Sequence, residues 1–334
     1  MKKIPLSILD LAVVTQGGNA ADAIERTVSV AQHAEALGYK RIWLAEHHNM
    51  EFIASSATSV LIGHVAGKTN HIRVGSGGIM LPNHSPLVIA EQFGTLETLY
   101  PGRIDLGLGR APGTDQLTAM ALRRNNNEGA HNFPTDVKQL QTYFSWENKQ
   151  SRVRAFPAEG LDIPIWILGS STDSAYLAAE MGLPYGFAAH FAPAQFRTAI
   201  QIYRRNFRPS PWLNEPYVLA CVNVIAADTD KEANHLATSL YKMFAGIFTN
   251  NRKPLSPPVA SMEAYWTPEI EAAIAQMTAC TFIGSRETLQ EELSEFIDET
   301  NVDELMVSSN IYDQQARLLS YTILSEVVQA MTLV

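Results

Sequence analysis

Two hydrophobic rhythms take turns along the chain. Short, nearly continuous apolar runs stand at 4–9 (IPLSIL), 41–45 (RIWLA), 72–75 (IRVG), 103–108 (RIDLGL), 165–168 (IWIL), 185–189 (YGFAA), 217–226 (YVLACVNVIA) and 304–307 (ELMV). Runs of this length and composition suit strands buried on both faces. Between them, apolar residues recur at helical spacing. Ile24, Val28, Ala31 and Leu37 do so after Asn19, a good capping residue, and Gly38 ends that helix. The same spacing predicts helices over 56–69, from Ser85-Pro86 to the break at Pro101-Gly102, and near 135–146, 173–181, 193–206, 229–248, 268–277, 286–299 and 313–331. Pro86 fits the first helical position, whose N–H has no partner in any case.

Two stretches interrupt the alternation. Residues 110–163 hold a polar loop with Asn125-Asn126-Asn127 and a Pro/Gly-rich approach to the next strand. Residues 249–268 carry Pro254, Pro257, Pro258 and Pro268. Both are too long for ordinary connections and read as insertions, the second as a lid that closes over a site. Eight strands, each followed by helix, predict an α/β chain folded as a (β/α)8 TIM barrel, with insertions after strands 4 and 7, in one domain over 1–334. An open doubly wound sheet is the rival. The missing Gly-x-Gly-x-x-Gly turn after the first strand counts against its dinucleotide-binding version.

Composition narrows the function classes. With 46% hydrophobic and 18% charged residues among 334, the chain can bury a large core. A net charge of −9, with Lys and Arg spread thinly, leaves no basic footprint for nucleic acid or anionic lipid. No apolar run approaches the length of a membrane helix. Met1-Lys2-Lys3 before an apolar run faintly mimics a signal peptide, but Pro5 and Asp10 interrupt it, so a first strand is expected. Cys221 and Cys280 sit in apolar surroundings, which points to buried thiols in a reducing, cytoplasmic setting rather than a disulfide framework.

In a barrel, chemistry gathers at strand C-termini and the loops after them. Glu46, His47 and His48 follow the second strand, Ser76-Gly77-Gly78 and then Asn83-His84 the third, and Gly107, Gly109 and Arg110 the fourth. Gly169 to Ser174 follow the fifth and His190 the sixth. Histidine takes or gives a proton near neutral pH, so the 41–48 strand end is the expected centre of an enzyme site. Neighbouring strand residues point to opposite faces, so at most one of His47 and His48 faces the pocket and both do not bind one ion. No third ligand has an obvious metal-site spacing, so no metal is assigned. The other histidine of the pair packs or hydrogen-bonds, and His84 and His190 read equally as loop anchors. Gly169-Ser170-Ser171-Thr172-Asp173-Ser174 is either a phosphate monoester site, with free N–H groups and hydroxyls at a helix start, or a plain helix cap. Arg110 at the neighbouring strand end favours the phosphate. Gly75-Ser76-Gly77-Gly78 allows either a turn or the close approach of a flat ligand.

The segments Trp-Leu-Ala-Glu-His-His (43–48), Gly-Ser-Gly-Gly-Ile-Met-Leu-Pro-Asn-His-Ser-Pro (75–86), Ala-Glu-Gln (90–92), Pro-Gly-Arg-Ile-Asp-Leu-Gly-Leu-Gly-Arg (101–110) and Trp-Ile-Leu-Gly-Ser-Ser (166–171) together resemble the bacterial luciferase-like flavin monooxygenases, in particular their single-chain, alkanal-monooxygenase-like branch. The resemblance implies a barrel with insertions, usually dimeric, that uses FMN or, in some branches, a deazaflavin. It implies that His47 is the catalytic base, that Gly77-Gly78 form a non-prolyl cis peptide beneath the flavin ring, and that Arg110, Gly169, Ser170, Ser171 and Ser174 hold the flavin phosphate. The implied reaction takes reduced FMN from a separate flavin reductase and dioxygen, forms a flavin hydroperoxide, and oxidises a small organic substrate, an aldehyde being one candidate. Deazaflavin-dependent hydride transfer and a non-catalytic flavin-binding barrel are the alternatives. Where light-emitting members carry a reactive cysteine just before the arginine, this chain has Gly109, which argues against light emission.

Overall fold

The computed structural model describes residues 4–111, 113–122 and 129–332; Met1-Lys2-Lys3 and the Asn125-Asn126-Asn127 loop lie outside the described residues. The elements run β1 (Leu6–Asp10), α1 (Ala20–Ala36), β2 (Arg41–Leu44), α2 (Thr58–Ala66), β3 (Arg73–Met80), α3 (Pro86–Leu99), β4 (Ile104–Gly109), α4 (Gln116–Leu122) and α5 (Gly129–Phe144). They continue with β5 (Ile165–Gly169), α6 (Thr172–Met181), β6 (Tyr185–Phe187), α7 (Phe196–Asn206), β7 (Val218–Ala226), α8 (Asp230–Phe248), α9 (Pro268–Met277), β8 (Thr281–Gly284), α10 (Arg286–Thr300), β9 (Glu304–Ser308) and α11 (Gln314–Thr332). All pairings are parallel, in the order β6-β5-β4-β3-β2-β1-β9-β7, and β6 pairs with β7 to close the ring. This is the expected eight-stranded (β/α)8 barrel.

Local chemistry sets the boundaries. The Asn19 side chain accepts the Ala21 and Asp22 N–H groups at 2.8 and 3.2 Å while the Asp22 carboxylate accepts the Asn19 N–H at 2.9 Å, a reciprocal cap that starts α1. Gly38, Gly102 and Gly182 follow α1, α3 and α6 at positive φ, where other residues are strained.

Along β2, Trp43 and Ala45 belong to the apolar cluster inside the barrel, and Ile42 and Leu44 to the layer between barrel and helices. The strand's period of two thus separates the interior from the outer core. Charge plugs the barrel's N-terminal end: Arg41 pairs with Asp105 at 2.7 Å and Glu304 at 2.8 Å, and the Trp43 indole N–H donates to Asp105 at 3.1 Å. The C-terminal end is left for chemistry.

Four features depart from the expected elements. A ninth strand, β8, continues the edge of β7 at Asn223–Ala226; it is too short for its periodicity to stand out. α4 lies in the expected loop after β4, and α5 begins upstream of Pro134. Pro134 thus lies inside α5, where its ring leaves one helical hydrogen bond unmade. The fourth is β3, which runs through Gly77-Gly78 to Met80 instead of stopping at Gly75, with its register on β4 slipping between Ser76 and Ile79.

The 249–267 segment is tied down. The Leu255 N–H donates to the Val14 carbonyl at 2.9 Å and its carbonyl accepts the Gln16 N–H at 2.8 Å, while the Val14 N–H donates to Phe52 O at 2.9 Å. The loops after β1 and β2 and the segment after α8 are stitched into one rim. Cys221 is buried and Cys280 half-buried, both as free thiols.

Candidate active site

β2 delivers Glu46, His47 and His48 to the rim, and its geometry parts the two histidines. His47 Nδ1 lies 3.4 Å from the Gly113 carbonyl, whereas His48 Nε2 lies 2.9 Å from Glu46 Oε1. A carbonyl only accepts, so Nδ1 of His47 carries the proton and Nε2 keeps its lone pair. Burial pushes the His47 pKa below its ordinary value; Gly113 and Glu46 oppose this, and nearby Arg252 adds to it.

Glu46 is almost fully buried and serves three partners. His84 Nε2 lies 2.8 Å from the same Oε1 as His48, and the Met80 N–H donates to Oε2 at 3.3 Å. Burial alone would raise the Glu46 pKa, but the hydrogen bonds from His48 and His84 outweigh it and hold the carboxyl below its usual range. Ionised, it only accepts, so both rings present N–H to it. Sequence spacing gave no third ligand for a metal, yet Glu46, His48 and His84 bring their ligand atoms within 4.8 Å of one another. Zinc accepts such a donor set. The two rings instead aim at one oxygen at hydrogen-bond length, which is a carboxylate shared between two donors.

Gly77 and Gly78 lie in β3 inside the rim, joined by a cis peptide bond. A Cβ on Gly77 would sit 2.6 Å from Leu9 Cδ1, and one on Gly78 2.7 Å from the Gly107 carbonyl oxygen. Neither position has room for a side chain. Ser76 bridges the register slip, donating to Gly107 O at 2.8 Å and accepting its N–H at 3.0 Å.

Arg110, at the end of β4, meets the start of α6. Its Nη2 lies 3.2 Å from Asp173 Oδ2, an exposed pair in the helix's first turn. Ser170 is exposed, while Ser171 and Gly169 are half-buried. Ser171 is the N-cap residue but makes no side-chain cap bond. The Ser174 hydroxyl is used locally: it donates to Ser171 O at 2.7 Å and lies 2.9 Å from the Tyr185 hydroxyl, packed against Gly169. The structure therefore brings Arg110, Ser170 and Ser171 to one surface and turns Ser174 inward as a brace. The Thr172 N–H donates to Gln195 at 3.1 Å, a contact no sequence signal announced.

His190, after β6, is a further imidazole near His47. Burial, with His47 adding to it, pushes its pKa down to about 4. Its Nδ1 is buried without a hydrogen-bond partner among the described residues, and its ring meets Phe191 edge-on at 4.9 Å. The sequence places Glu46 and His84 at strand ends without an assigned role, and does not single out Arg252. Glu46 was legible only as a neighbour of His47, and Arg252 carried no signal at all. The Met80 sulfur fills the space beside Gly109, 2.7 Å from where a Cβ would stand. A cysteine there would have to displace it. A separate cavity of about 500 Å³ lies between α8 and the 249–267 segment, and no strand-end residue named above lines it.

Comparison with known proteins shows the family and the fold. A family model described as luciferase-like monooxygenase matches residues 4–304. The chain belongs to that family. A luciferase-like monooxygenase of Escherichia coli K12 is 48% identical, covering 98% of this chain and 97% of its own. The crystal structure of apo-MsnO8 superposes with a TM-score of 0.87 at 32% identity, covering 98% of both chains. The oxygenating constituent of 3,6-diketocamphane monooxygenase from the CAM plasmid of Pseudomonas putida, a type II Baeyer-Villiger monooxygenase in complex with FMN, shares the fold with a TM-score of 0.74 at 16% identity, covering 98% of both chains.

Proposed function

We propose that this member of the family is an FMN-dependent monooxygenase that takes reduced FMN from a separate flavin reductase and uses dioxygen to oxidise a small organic substrate. An aldehyde is one candidate, and the working form is a cytoplasmic homodimer. One observation carries the reading: Arg110 and the exposed start of α6 meet at one side of the rim that also holds His47 and the Cβ-free Gly77-Gly78 floor.

The residues suit the cofactor. Arg110, whose only ion pair among the described residues is with exposed Asp173, can exchange that carboxylate for a phosphate. Ser170 and Ser171 add hydroxyls, and α6 adds the positive end of its dipole. Gly77 and Gly78 allow a flat ring to lie against backbone. Reduced FMN, when bound, supplies the electrons that activate dioxygen for insertion of one oxygen atom. His47, neutral at physiological pH and with Nε2 free, accepts a proton at the reacting face. The buried Glu46 fixes β3 and the His84 loop relative to β2, and so sets the His47-to-glycine distance.

The test combines the protein with FMN, a flavin reductase, NADH, labelled dioxygen and a panel that includes aldehydes. A product heavier by one labelled oxygen atom is expected. Hydride transfer to an oxidised deazaflavin, or from a reduced one, without oxygen uptake would instead establish the second reading, and flavin binding without turnover the non-catalytic one.

A further inference from the structure

We infer that Arg252 is a substrate-binding residue that holds a carboxylate on a molecule whose other end is apolar. The inference deepens the monooxygenase reading and rests on it.

Arg252 lies in the 249–267 segment, and its backbone is held from both sides. The Asn251 N–H donates to Gly246 O at 2.8 Å, and Leu255, three residues on, is bonded to the loop after β1. A Cβ on Gly246 would sit 2.8 Å from the Asn251 carbonyl oxygen, so this turn is packed tightly onto α8. The side chain reaches the rim at β2, where its Nη1 lies 3.8 Å from Met50 Sδ, three residues beyond His47. Its charge is close enough to His47 to disfavour the imidazolium. Among the described residues no carboxylate pairs with Arg252, although the chain carries 34 acidic residues against 25 basic ones. Arg252 is exposed to solvent, so its guanidinium is open to an arriving anion. A planar guanidinium suits a carboxylate, which it can grip through two parallel N–H···O bonds.

That anion is not the cofactor phosphate proposed above. Arg110 and α6 serve β4 and β5, whereas Arg252 stands over the loops of β1 and β2, on the other side of β3 around the ring. The surroundings of the two cations differ as well. Met50 beside Arg252 and exposed Phe191 across the rim offer apolar contact, which suits an organic substrate with one charged end.

Titration calorimetry with octanoate and its neutral isostere octanamide tests the inference, using wild type, Arg252→Gln and Arg252→Lys, with FMN binding followed in parallel by flavin fluorescence. Octanoate is expected to bind wild type at least about tenfold more tightly than octanamide. Arg252→Gln should erase that preference, Arg252→Lys should keep part of it, and FMN binding should be equal in all three. Equal affinities in wild type, no binding of either compound, or a preference that survives Arg252→Gln would overturn the inference. Loss of FMN binding in Arg252→Gln would also overturn it, by assigning the guanidinium to the cofactor. Failure of FMN to bind any of the three proteins would count against the monooxygenase reading alone, because the octanoate comparison uses no flavin.

Discussion

Glu46 and His84 stand 38 positions apart, yet His84 Nε2 lies 2.8 Å from Glu46 Oε1. The contact joins the end of β2 to the loop after β3. With His48 on the same oxygen and the Met80 N–H on the other, one buried carboxylate locks this rim together.

Replacing that charge should show its weight. Glu46→Gln is expected to destabilise the protein by about 1–3 kcal/mol at pH 7, because buried donors lose an ionised acceptor. The folded Glu46 pKa is lowered, so its contribution is present above the unfolded carboxyl value and is lost as pH falls through the folded one. Thermal scans from pH 7 downward should therefore show the gap between variant and wild type closing in acid. A gap independent of pH would refute the role of the charge.

His190 makes a second acid-sensitive point. Its folded pKa of about 4 lies below the ordinary 6.5, so the folded state binds fewer protons between these values. Stability should be full above pH 6.5 and fall as pH drops towards 4, by about 3 kcal/mol from this group. A His190→Asn variant should lose less over that window. Equal acid sensitivity of the two proteins in chemical denaturation would exclude the buried ring as the cause.

His47→Ala should lower turnover roughly a hundred- to ten-thousand-fold while leaving FMN binding in place. Since burial lowers the wild-type pKa, the neutral base persists below the ordinary histidine value. The rate should begin to fall at a lower pH than an ordinary histidine would set. A variant with full turnover would remove His47 from the mechanism.

Arg110→Ala should weaken FMN about ten- to a hundredfold and leave riboflavin, which has no phosphate, nearly unchanged. Fluorescence titration with both flavins reads the difference directly. Equal losses would show that the arginine shapes the rim without touching phosphate.

The two glycines of β3 should respond unequally. A Cβ on Gly78 meets the Gly107 backbone at 2.7 Å and a Cβ on Gly77 meets the Leu9 side chain at 2.6 Å, and side chains yield more readily than backbone. Gly78→Ala is expected to cost about 1–3 kcal/mol in urea unfolding and Gly77→Ala less. The reverse order would mean that the β3–β4 contact is softer than its packing suggests.

The sequence by itself determined the barrel, because each strand is a short apolar run bounded by glycine, proline or a capping residue, and these signals are local. It also separated His47 from His48, since alternation along a strand is a property of the backbone. Tertiary structure alone decided what those residues face. Glu46 acquires His84 and Met80 only when β2 and β3 pair, Ser174 turns inward only when Tyr185 arrives from β6, and Arg252 reaches the rim only because Leu255 is bonded to the loop after β1. Such contacts join positions far apart in the chain, and their distances depend on barrel closure, which no local periodicity encodes.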